Sequence, residues 1–81
     1  MTLEEKVIGI IVEQLDATRE ECVPEASFID DLGADSLDLV ELIMEMEETF
    51  DVQIADNELQ QIRSIKDVLD YLRNKGVAWH E

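Results

Sequence analysis

Apolar residues recur at spacings of three and four in separate stretches of this chain, and no sustained alternation of period two competes with them. A helix turns about 100° per residue, so this spacing lines one face, and a chain built of such stretches must bury helix against helix. Near the N-terminus Leu3, Val7, Ile10, Ile11 and Leu15 form the first stripe. Thr2 and Glu5 precede it as a T-x-x-E capping box, which predicts a helix over about 3–15. Gly9 weakens that helix by about 1 kcal/mol relative to alanine unless a close neighbour needs the space, and both readings stay open. Toward the other end Ser64 and Asp67 start a helix over about 65–75. Ile65, Val68, Leu69 and Leu72 make its inward stripe, and Gly76 stands past its end.

The middle of the chain carries the longest pattern. Asp35 is a good N-cap, its carboxylate able to accept from the free N–H groups of the first turn, and Asp38 adds favourable negative charge there. A helix over about 36–49 follows, with Ser36 at its first position and its hydroxyl toward solvent. Around that helix Leu39, Leu42, Ile43, Met46 and Phe50 fall in one arc, the core stripe. Leu37, Val40 and Met44 fall in a second arc bordered by Glu41, Glu47 and Glu48, and a helix serving only its own core has no use for that stripe. Three exposed apolar residues are ordinary on any surface. Beside Ser36 and ringed by acids they read as a docking face.

Between these helices lie two connections. Residues 16–35 contain Pro24 and Gly33 and no helical period, so Val23, Ala26, Phe28, Ile29 and Leu32 are expected to fasten them across the helices, with one helical turn near Arg19 to Cys22. After a turn at 51–55, Asp56 can cap a brief helix over about 57–61 with Leu59 and Ile62 inward. Residues 1–81 therefore read as a single all-α domain, a small bundle of three principal helices plus one short helix with a long first loop.

Charge narrows the function. Of the 21 acids, fourteen lie between Glu20 and Ile62, where no Lys or Arg occurs, and the net charge is −15. Such a surface repels nucleic acid and anionic lipid and draws in partners with basic patches. No apolar run approaches the ~20 residues of a membrane span, so no membrane insertion is expected. The lone Cys22 cannot form an internal disulfide and reads as a small apolar residue in a reducing, cytoplasmic setting. A serine nucleophile needs a base, and the only histidine is His80, next to the C-terminal residue, so no catalytic residue is assigned. Counting back from Gly33 places Phe28, Asp30 and Leu32 where a calcium loop needs oxygen ligands, so no metal ligands are assigned either. Tyr71 and Trp79 read as packing or surface aromatics.

The run from Phe28 to Phe50, FIDDLGADSLDLVELIMEMEETF, resembles the centre of an acyl carrier protein of the dissociated bacterial fatty-acid synthesis type. In that family the serine of the D-S-L triplet, here Asp35, Ser36 and Leu37, carries a 4′-phosphopantetheine arm through a phosphodiester. The resemblance implies that the arm comes from coenzyme A, that a phosphopantetheinyl transferase attaches it, and that growing acyl chains ride on its thiol as thioesters. It implies a monomeric, non-catalytic carrier visiting fatty-acid synthesis enzymes. Leu37, Asp38, Val40, Glu41, Met44, Glu47 and Glu48 would meet the basic patches of those enzymes. The acyl chain would fold back between helices, with Leu42, Met46, Leu59 and Ile62 as candidate lining. Ala55 stands where the family often has proline, and Leu59 where a smaller residue is common, which bears on cargo length.

Two other readings remain at this level. A specialised carrier for a polyketide, lipid-A or other modified acyl pathway shares the same serine handle. A plain acidic interaction module would dock on a basic partner with no prosthetic group at all.

Overall fold

The computed structural model describes residues 2–77, so Trp79 and His80 lie outside the described residues. Three principal helices, α1 (Leu3–Leu15), α2 (Ser36–Phe50) and α4 (Ile65–Asn74), enclose the core, and a short α3 (Asp56–Leu59) precedes the last of them. A single 3-10 turn, Arg19–Glu21, interrupts the first connection. The one β-type pairing among the described residues is an isolated bridge between Ser27 and Ser64.

Helix α1 is the central post. It packs against both α2 and α4, with Val7 and Ile11 fully buried. The Glu5 N–H donates to the Thr2 hydroxyl at 3.1 Å, and the Glu5 carboxylate accepts from the Thr2 N–H at 3.1 Å. The Thr2 N–H, and after it the Thr2 hydroxyl donating to the same carboxylate at 3.1 Å, hold the Glu5 carboxyl below its usual range, because they favour the charged form. A β-carbon at Gly9 would meet only the end of the Arg19 side chain, at 3.9 Å. That is ordinary contact, so no close neighbour demands glycine there.

Helix α3 differs from the sequence expectation. It begins at Asp56 rather than after it, and spans four residues behind Ala55 as N-cap. Alanine has no side-chain oxygen to accept from the first turn, so the Glu58 carboxylate, accepting from the Ala55 N–H at 3.3 Å, holds that end by itself. A helix so weakly started does not propagate. Tyr71 on α4 compensates from outside, its hydroxyl donating to the Glu58 carboxylate at 3.0 Å with the Gln53 carbonyl, 3.2 Å away, as a second acceptor within reach.

The first connection is fastened mostly by backbone. The Phe28 N–H donates to the Arg63 carbonyl (3.0 Å), the Ile65 N–H to the Ala26 carbonyl (3.2 Å) and the Lys66 N–H to the Pro24 carbonyl (2.8 Å). Of the expected pegs, Ala26 and Phe28 are buried and Leu32 is half-buried, whereas Val23 and Ile29 are about half exposed. Ile29 sits at the tip of a turn closed by Asp31 and Leu32 N–H groups on the Ser27 carbonyl, and a turn tip projects outward. Cys22 is buried, and burial followed by the neighbouring Glu21 charge pushes its thiol up, away from reactivity.

Candidate functional site

The site grows out of the start of α2. Gly33 takes φ +73°, a left-handed conformation that glycine adopts without strain, and turns the chain toward the helix. Asp35 then caps α2: its carboxylate accepts from the Asp38 N–H at 2.9 Å, and the Asp38 carboxylate accepts from the Asp35 N–H at 3.3 Å. Asp38 is thereby tied to the cap and half-buried. Neither bond uses Ser36, the first residue of the helix, which is exposed.

Along the same helix, Leu37 is 65%, Val40 40% and Met44 55% exposed, while Leu42, Ile43, Met46 and Phe50 are buried. The two arcs read from the sequence thus separate into a core face and a solvent face. Glu41 and Glu48 are exposed beside the outer stripe. Glu47 departs from its expected place: its carboxylate accepts from the Ile54 N–H at 2.8 Å, half-buried, and closes the turn after α2 instead of facing outward.

Ser36 also lines an open cleft of about 390 Å³. Its walls come from three segments: Phe28 and Ile29 of the first connection, Leu39 and Val40 of α2, and Leu59, Gln60, Ile62 and Arg63 after the second. Among the four residues considered for an acyl lining, Leu59 and Ile62 border this cleft. Leu42 and Met46 do not: both have no exposed surface and belong to the packed core. Sequence reasoning missed Phe28, Ile29 and Arg63, which reach the cleft through tertiary packing. Arg63 alone had a local signal, as the base that ends the long acidic run.

An exposed hydroxyl left out of the helix cap, beside open space with mostly apolar walls, suits a serine that carries a long flexible group with an apolar cargo. Among the described residues no group of three or more His, Cys, Asp or Glu side chains is placed to hold a metal ion. No helix among them is long and apolar enough to cross a membrane.

Comparison with known proteins agrees with that chemistry. Residues 5–72 match the family model described as a phosphopantetheine attachment site. The chain is 67% identical over 79 residues to an acyl carrier protein of Syntrophus aciditrophicus (strain SB), covering 98% of this chain and 99% of the relative. It is 59% identical over 75 residues to an acyl carrier protein of Nitratidesulfovibrio vulgaris (strain DP4), covering 93% and 99%. A solved structure from Mycobacterium tuberculosis, assigned as an acyl carrier protein, superposes with a TM-score of 0.82 at 33% identity over 89% of this chain and 96% of that one. With matches of this extent to curated relatives and to the family model, the chain belongs to the acyl carrier proteins, non-catalytic carriers with a phosphopantetheine prosthetic group.

Proposed function

We propose that Ser36 is the residue bearing the arm, and that the chain carries growing acyl thioesters in fatty-acid biosynthesis. The observation that carries this reading is the exposure of Ser36 on the first turn of α2, outside the cap and at the cleft. Loading would replace the Ser36 Oγ–H bond with an Oγ–P bond, a base of the transferase taking the proton and the broken pyrophosphate link of coenzyme A releasing adenosine 3′,5′-bisphosphate. When bound, the arm supplies the thiol on which acyl groups are held. What the chain itself contributes is position. Asp35 and Asp38 fix the helix start from which Ser36 projects, while Leu37 beside it offers an apolar contact.

Partner enzymes meet the outer face of α2. Glu41 and Glu48 steer basic patches at long range, and Leu37, Val40 and Met44 supply short-range contact, an arrangement that favours fast capture and fast release. The acyl chain enters beside Leu59 and Ile62, and reaches Leu42 and Met46 only as the core yields to it. The carrier works as a monomer in a reducing cytoplasm, a setting that the buried free thiol of Cys22 suits.

Incubation with a phosphopantetheinyl transferase and coenzyme A, followed by peptide mass spectrometry, tests the attachment. The expected outcome is one arm per chain mapped to Ser36, and none on Ser36→Ala with its helicity intact. A transferase active on a control carrier that leaves the wild-type chain unmodified, or modifies another residue, overturns it.

A further inference from the structure

The cleft beside Ser36 holds one cationic residue, Arg63. It is exposed, and its backbone is fixed on both sides: the Arg63 N–H donates to the Asp67 carboxylate at 3.0 Å, and its carbonyl accepts from Phe28. Its guanidinium has no carboxylate partner among the described residues, although the chain carries 21 acids against six bases. Lys75, by contrast, is spent on Glu58 at 3.9 Å. A fixed backbone, an unpaired guanidinium and a place on the cleft that Ser36 also lines together leave a planar donor fork on the same cleft as the attachment residue, with Asp30 the one acid on its walls. We infer that Arg63 clamps the phosphodiester formed on Ser36, setting the direction in which the arm leaves the protein and turning it toward the cleft.

The physical case rests on local charge. A phosphodiester on Ser36 adds an anion at the start of α2, where the helix amides favour it and the Asp35 and Asp38 carboxylates repel it, so with these two effects opposed a nearby cation tips the balance toward holding the arm at the surface. Guanidinium matches phosphate oxygens through paired N–H donors, which a lysine ammonium cannot reproduce. The anion is tethered within a bond or two of Ser36 Oγ, so no entropy of association opposes the contact. The pair faces solvent, which keeps it reversible and salt-sensitive, as a carrier that must hand its arm to partner enzymes requires.

This inference rests on Ser36 bearing the arm, and the test separates the two. Apo and loaded forms of the wild-type chain, Arg63→Gln and Arg63→Lys are compared after intact-mass confirmation of loading. In the wild type, loading is expected to shift the Arg63 side-chain Nε–H resonance. The loaded phosphodiester is expected to move its 31P resonance when salt is raised to about 1 M, where screening shortens to a few ångströms. In Arg63→Gln the 31P resonance becomes insensitive to salt, and Arg63→Lys falls between. The change in melting temperature on loading is expected to be less favourable in Arg63→Gln than in the wild type by about 1 to 4 °C. If the mass confirms loading at Ser36 but neither resonance responds and the two temperature changes agree, the clamp is overturned and the attachment stands. If nothing is loaded at Ser36, both fall.

Discussion

The two connections that wall the cleft are built on different principles. The first, residues 16–35, is tied across the molecule by backbone hydrogen bonds to Arg63 and to the start of α4, and by Phe28, which has no exposed surface. The second, residues 51–64, shares the Phe28–Arg63 backbone bond at its end, but its turn and short helix are held by side chains: Glu47 on the Ile54 N–H, Glu58 on the Ala55 N–H, and Tyr71 on Gln53 and Glu58. Backbone bonds beside a buried aromatic yield only when the core opens, whereas bonds at half-exposed carboxylates exchange with water at modest cost. The cleft therefore has one firm wall and one soft wall. A carrier that must admit cargo of changing length benefits from that asymmetry, since only the side carrying Leu59 and Ile62 has to move.

The largest expected effect falls on the firm wall. Phe28→Ala should cost about 3–5 kcal/mol in urea unfolding, because a fully buried ring is lost and a cavity remains. A cost under about 1 kcal/mol would show that the first connection is not the rigid one. Tyr71→Phe should cost only about 1 kcal/mol, with faster amide exchange at Ile54 and little change at Phe28. The same hydroxyl adds a pH dependence. Burial, then the Glu58 hydrogen bond, raises the Tyr71 phenol above its ordinary value of 10.0. The fold thus favours the neutral phenol, so its contribution is complete below the unfolded value and is lost as pH rises past it. The stability difference between wild type and Tyr71→Phe should accordingly shrink above about pH 10, and a difference that grows there would contradict the assignment.

The smallest effect concerns how each connection begins. Both leave their helices through a left-handed aspartate, Asp16 at φ 54° and Asp51 at φ 55°. Asp16→Gly and Asp51→Gly should each stabilise by about 0.5 kcal/mol, since glycine adopts this conformation without a β-carbon penalty. Similar gains at both sites would confirm that the walls differ in how they are fastened and not in how they start. A much larger gain at Asp51 would relocate the softness to the helix end.

Legibility followed the range of the forces involved. The stripes of α1, α2 and α4 and the caps at Thr2, Asp35 and Ser64 act within one or two turns, so residue order alone carries them. Helix α3 starts one residue earlier than the local pattern predicts because the capping role falls to Ala55, a poor cap by local rules, with Tyr71 supplying support from a distant helix. Glu47 departs from its angular position on the helix for a related reason. Its position on α2 is peripheral by angle, yet a free amide in the turn beyond the helix offered its carboxylate a better partner than water.

By itself the sequence determined an acidic all-α chain with Ser36 on the first turn of its longest helix and an apolar stripe left over on that helix's outer side. Periodicity and capping are local, and they survive any rearrangement of neighbours. Only the tertiary structure decided what stands around the serine. It brought Phe28, Ile29 and Arg63 to the same cleft as Ser36, and it sealed Leu42 and Met46 into the core. Residues far apart in the chain become neighbours through packing, and that outcome depends on the volumes and hydrogen bonds of the whole fold.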